Sequence, residues 1–126
     1  LDEEQLQKYI NDPNRFPFKI VHNLDSKVIG HLEAYKTANN TFKICRVLIG
    51  DINYRSKGYA SEALKLLIDY CTNNFNTKYI ELNVYDFNES AIKCYEKLGF
   101  QHTNQFQTTK FHNEEWKSIK MKLILA

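Results

Sequence analysis

The chain has 126 residues, 43% hydrophobic and 13% aromatic, with four glycines and two prolines; this fits one compact domain and excludes a disordered segment. A formal net charge of +2 is too small to mark a nucleic-acid binder, and no membrane-length apolar run or signal-peptide pattern is visible, so a cytoplasmic protein without nucleic-acid or membrane partners is expected. Cys45, Cys71 and Cys94 are widely spaced with no C-x-x-C, which argues against a zinc site or a disulfide framework, and no metal is expected.

Residues 1–11 read as the end of a helix, with Leu6 and Ile10 four apart, stopped by Asp12-Pro13-Asn14. Residues 16–22, 28–35 and 42–49 read as three strands of an antiparallel meander, joined by turns at 23–26 and 38–40. Gly30 lies inside the second strand. A polar loop over 51–57 leads into a helix over 59–75. Ala60, Ala63, Leu64, Leu67, Ile68 and Cys71 form its buried stripe. Residues 79–85 alternate, with Ile80, Leu82 and Val84 on one face. A short helix spans 89–98, capped by Asn88 and stopped by Gly99. Residues 100–108 and 116–125 close the chain as a hairpin around His112-Asn113-Glu114. The order predicts a mixed α/β layer fold (α+β). Its sheet is mostly antiparallel, with one parallel strand–helix–strand crossover from Phe42 to Tyr85.

Two stretches carry chemistry. The first runs Ile49-Gly50-Asp51-Ile52-Asn53-Tyr54-Arg55-Ser56-Lys57-Gly58-Tyr59-Ala60. It combines a strand end, a cationic loop with a glycine, and a helix N-terminus whose unpaired N–H groups favour anions. That is the composition of a pyrophosphate site, although an ordinary strand-to-helix turn with exposed Arg55 and Lys57 explains the same residues. The loop matches neither G-x-G-x-x-G nor the P-loop, which disfavours a nucleoside triphosphate. The second stretch runs from Asn83 to Phe100. Ala91, Tyr95 and Leu98 share a helix face, so Tyr95 either aims its hydroxyl into a cleft or packs as a core tyrosine.

Arg55-Ser56-Lys57-Gly58-Tyr59-Ala60 resembles the R/Q-x-x-G-x-G/A loop of the GNAT acetyltransferase superfamily. Asn88-Glu89-Ser90-Ala91 through Tyr95 to Leu98-Gly99-Phe100 resembles its N-x-x-A-x-x-x-Y-x-x-x-G-F motif, and Val28-Ile29-Gly30 its upstream strand. The run from Gly58 to Ala63 is similar to the branch that holds ribosomal-protein N-terminal acetyltransferases and spermidine acetyltransferases. The resemblance spans residues 16–125 and implies helices on both faces of the sheet. It implies an enzyme that moves acetyl from acetyl-coenzyme A to a primary amine of a peptide, polyamine or other small molecule. A coenzyme-A-binding sensor or scaffold without transfer activity is the alternative. The strand at Val47, Leu48 and Ile49 would bulge and offer backbone groups to the pantetheine arm. The amides of Arg55, Ser56, Lys57, Gly58, Tyr59, Ala60 and Ser61 would cradle the pyrophosphate, and Asn88 would line the cleft. Tyr95 would be the general acid that protonates the departing thiolate. Many relatives carry a Glu on the strand before the loop where this chain has Ile44, which leaves Glu33, Glu81, His31 or a water relay as candidate bases. Relatives begin with a strand and a helix that precede the point where this sequence starts, so an N-terminally incomplete domain is expected, those elements being disordered, cut off or supplied by a partner. An exposed strand edge or cleft wall in their place, and a homodimer through it, is expected.

Overall fold

The computed structural model describes residues 2–50, 52–55 and 57–125. Helix α1 (Glu3–Ile10) opens on a capping box: the Asp2 carboxylate accepts the Gln5 N–H, and the Gln5 side chain accepts the Asp2 N–H. The side chains of Leu6 and Ile10 lie outside the described parts. Strands β1 (Arg15–Val21), β2 (Val28–Ala38) and β3 (Thr41–Ile49) form the expected antiparallel meander. Helix α2 (Tyr59–Asn74) then crosses over to β4 (Tyr79–Tyr85), which lies parallel to β3. Helix α3 (Glu89–Lys97) and the hairpin β5 (Gln101–Phe111) and β6 (Glu114–Ile124) complete a six-stranded sheet ordered β1-β2-β3-β4-β6-β5.

Strand alternation puts the apolar set on one face. Phe18 pairs with Leu32, Phe16 with Ala34, Ala34 with Ile44, Leu82 with Met121, and Ile80 with Leu123. Both α2 and α3 cover this face. Ala63, Leu64, Leu67 and Cys71 of α2 are buried in the core, and Ala91, Ile92, Tyr95 and Leu98 pack against it from α3. The stripe predicted for α2 is the one that is buried, with Ala60 and Ile68 at its half-buried margins. The other face is polar. Arg15 pairs with Glu33 and Lys120 with Glu81, both at 2.6 Å. The chain leaving α1 is tied to that face by the Tyr35 hydroxyl, which donates to Asp12 at 2.7 Å.

The closing hairpin is longer than expected. Both strands run up to a two-residue turn at His112 and Asn113, which have φ of +49° and +66°. The sequence hid this because the far half of β5 is exposed throughout and, apart from Phe106 and Phe111, polar, so it has no apolar period to read. No described helix is long and apolar enough to cross a membrane.

Candidate active site

The sheet opens at its middle. Residues 41–44 of β3 pair with residues 79–82 of β4. Beyond that point β3 pairs with β2 and β4 with β6, and among the described residues the two strands no longer pair with each other. The result is a wedge with Ile44 and Leu82 at its apex. Its cause is a bulge in β3: Glu33 faces Arg46 and Ala34 faces Ile44, so Cys45 is the extra residue inserted between them. A bulge of this kind bends and twists its strand. The predicted bulge at Val47, Leu48 and Ile49 is thus corrected to Cys45. Those three residues pair regularly with Leu32, His31 and Gly30, and their backbone borders the wedge. A Cβ at Gly30 would overlap the Leu48 carbonyl oxygen, so the glycine lets β2 and β3 meet at this point.

From Ile49 the chain enters a 3₁₀ turn at Ile52–Tyr54 and the loop that precedes α2. The Arg55 guanidinium turns back onto the strand end: Nε donates to the Ile49 carbonyl at 2.9 Å and Nη2 to that of Gly50 at 3.4 Å. Ser56 lies outside the described residues. Gly58 is the N-cap of α2, with φ +83° and no side-chain cap. With no side-chain cap among the described residues, the first-turn N–H groups of Tyr59, Ala60 and Ser61 are the donors that a helix start leaves unpaired within the helix. Among the described residues nothing lies within 4 Å of where a Gly58 Cβ would be. Torsion, rather than a crowded protein neighbour, is what requires glycine there. Lys57 is exposed, with its ammonium 6.0 Å over the Tyr54 ring. The Tyr59 side chain points away from the loop towards His22.

Asn88 is committed to α3, its side-chain oxygen accepting from the Ala91 N–H and the Ser90 hydroxyl, each at 3.3 Å. This cap fixes the register that puts Tyr95 on the sheet-facing side. The Tyr95 ring meets Phe100 edge-on at 5.9 Å. Its hydroxyl makes no hydrogen bond among the described residues, and burial, helped by Cys94, raises its pKa above the ordinary 10.0. A phenol held in that way keeps its proton at neutral pH.

The candidate bases are otherwise engaged or exposed. Glu33 and Glu81 sit in the ion pairs described above, and His31 is on the surface. Ile44 is buried in the core. A wide apolar groove lies elsewhere, between β1 and α2, lined by Phe18, Ile20, Leu66, Leu67 and Tyr70. Of the predicted site residues that are described, only Tyr59 reaches it.

Comparison with known proteins agrees with this geometry. The model of the acetyltransferase (GNAT) family matches residues 1–100. A prophage-derived uncharacterized N-acetyltransferase, YokL, of Bacillus subtilis (strain 168) is 29% identical over 111 residues, covering 86% of this chain and 58% of that protein. The L-amino acid N-acetyltransferase AaaT of Escherichia coli (strain K12) is 32% identical over 89 residues, covering 66% of this chain and 52% of AaaT. The chain thus spans little more than half the length of these relatives. Among solved structures, spermidine N-acetyltransferase from Vibrio cholerae in complex with CoA and spermine superposes with a TM-score of 0.82 at 21% identity, over 97% of this chain and 72% of that one. A GNAT family acetyltransferase from Elizabethkingia anophelis with acetyl-CoA bound superposes with a TM-score of 0.75 at 17% identity, over 98% and 84%.

Proposed function

The chain belongs to the acetyltransferase (GNAT) family, and from that premise we propose that it transfers acetyl from acetyl-coenzyme A directly to a primary amine. The observation that carries this is the continuity of wedge and loop. The strand that borders the wedge runs straight into the segment that opens α2, so one extended ligand could place its anionic end on the α2 amides and its thiol arm between β3 and β4. The first-turn amides of α2 and the loop from Arg55 to Gly58 hold the pyrophosphate. Val47, Leu48 and Ile49 flank the arm. A neutral amine attacks the thioester carbonyl, and backbone N–H groups near Leu48 stabilise the tetrahedral oxyanion. The intermediate collapses by breaking its C–S bond, Tyr95 gives its phenolic proton to the leaving sulfur, and the nitrogen releases its extra proton to water, which restores the Tyr95 phenol. Cys94 is half-buried beside Tyr95 and takes no acyl group in this sequence.

Polyamines and amino acids are the first acceptors to test. The Vibrio protein of the same fold was solved with spermine, and the Escherichia relative is named for L-amino acids. The test is an acceptor screen with acetyl-coenzyme A that follows release of free thiol, together with calorimetry of coenzyme A binding. Thiol release with one amine class supports transfer. Coenzyme A binding without turnover on any amine would favour a non-catalytic coenzyme-A-binding module. The burial of Ile44 and the pairing of Glu33 and Glu81 speak for that second reading. Gly58→Val puts a β-branched residue at φ +83° and is expected to weaken coenzyme A binding at least tenfold; equal affinity would remove the loop from the site.

A further inference from the structure

Four side chains outside the proposed chemistry join the β1–β2 turn to the coenzyme loop. The His22 Nε2 lies 3.0 Å from the Tyr59 hydroxyl. Its buried Nδ1 lies 3.3 Å from Asp25 Oδ1, an electrostatic contact rather than a directed hydrogen bond. The other Asp25 oxygen accepts from the Tyr54 hydroxyl at 2.7 Å. The rings of His22, Tyr54 and Tyr59 pack pairwise, with centroids 5.0, 5.3 and 5.9 Å apart. The turn that presents His22 and Asp25 is itself braced. The His22 N–H donates to the Lys27 carbonyl and the Ser26 N–H to the His22 carbonyl, both at 2.9 Å. The Lys27 N–H donates to Asp25 Oδ1 at 3.0 Å.

Tyr54 and Tyr59 stand on either side of residues 55–58. Both ends of the proposed pyrophosphate loop are therefore pinned to one imidazole–carboxylate pair, while Arg55 ties its start to the end of β3. Gly58 contributes no side-chain restraint of its own. We infer that His22 and Asp25 are positioning residues that hold the loop in its anion-binding shape before the coenzyme arrives. The inference rests on the acetyl-coenzyme A reading above. Pre-ordering a loop removes part of the entropy cost from the binding step, so the clamp acts on coenzyme affinity and leaves the chemical step alone. Asp25 suits this role because the Tyr54 hydrogen bond, and then the Lys27 amide, hold its carboxyl below the ordinary range. It therefore stays an anionic acceptor at neutral pH.

The experiment compares two acetyl donors. S-acetylpantetheine keeps the thioester and the arm but has no pyrophosphate. His22→Ala and Tyr54→Phe are each expected to raise the Kd for coenzyme A about tenfold. Both should leave kcat at saturating acetyl-coenzyme A, and kcat/KM for S-acetylpantetheine, within about twofold of the wild type. Tyr54→Phe keeps the ring and serves if His22→Ala folds poorly. Unchanged coenzyme A affinity in both variants, or an equal loss with both donors, would overturn the positioning role. A wild-type chain that binds no coenzyme A would instead remove the acetyl-coenzyme A reading, and the positioning role with it.

Discussion

Tyr95 is half-buried, packed against Phe100, and its hydroxyl has no protein partner among the described residues. A core tyrosine normally satisfies its hydroxyl with protein or water, and the proposed general-acid role gives the Tyr95 hydroxyl a second use that mutation separates from packing. Tyr95→Phe is expected to lower kcat by ~10²–10⁴-fold while coenzyme A affinity and melting temperature stay put. A stability loss of about 1 kcal/mol with normal turnover would make the residue structural instead. In the proposed step the protonated phenol is the donor, and its pKa is raised above 10.0. On the alkaline side the rate should therefore fall as pH rises through a value above 10.0, and that alkaline limb should vanish in Tyr95→Phe. Burial also pushes the Cys71 thiol up to about 11, whereas Cys45 is exposed at the bulge. Alkylation at neutral pH followed by mass spectrometry should mark Cys45 and spare Cys71 until the chain unfolds; labelling of Cys71 in the folded protein would mean that the α2 core opens readily. The helix face of Tyr95 was legible from spacing alone. The state of the candidate bases was not, because Glu81 pairs with Lys120 across two strands and no local pattern records that contact.

Among the elements, α2 was legible to within a residue because its stripe is buried by a single surface. The β3 bulge was also written in the pattern, as a step from Phe42 and Ile44 to Val47 and Ile49 that inserts one residue into a period of two. Read strictly, that step places the irregularity at Cys45 or Arg46 rather than at Val47, Leu48 and Ile49. The length of β5 was not legible, since exposed polar strands lack the contrast on which alternation depends. The contact between β2 and β3 at Gly30 has a measurable consequence. A Cβ there would meet the Leu48 carbonyl oxygen and backbone atoms around it, and backbone cannot rotate out of the way as a side-chain end can. Gly30→Ala is expected to cost about 1–3 kcal/mol, the range for overpacking, in urea denaturation. It should also raise KM for acetyl-coenzyme A, because Leu48 borders the wedge. A variant as stable as the wild type would show that the two strands can separate there freely.

Among the described residues the sheet ends at β1 on one side and β5 on the other. β5 is a poor template for pairing: its register breaks between His102 and Phe106, and Asn104 has φ +65°. β1 keeps an even register with β2 from Arg15 to Ile20, and it borders the apolar groove where Leu66 is 71% exposed. The resemblance led to the expectation of an exposed edge, but that β1 forms it was not legible, because strand order is a long-range property. Three features of β1 oppose extended pairing: Pro17 has no N–H, and Arg15 and Lys19 carry charge. What is left for a second chain is the short stretch after Pro17, backed by the groove. We therefore expect weak self-association through β1, seen in sedimentation velocity as a coefficient that rises with protein concentration. Val21 is 48% exposed at the end of that stretch, and Val21→Lys should hold the protein as a monomer without changing its melting temperature. A wild-type coefficient independent of concentration would mean that Pro17, Arg15 and Lys19 already close the edge. Association that survives Val21→Lys would put the contact on another surface.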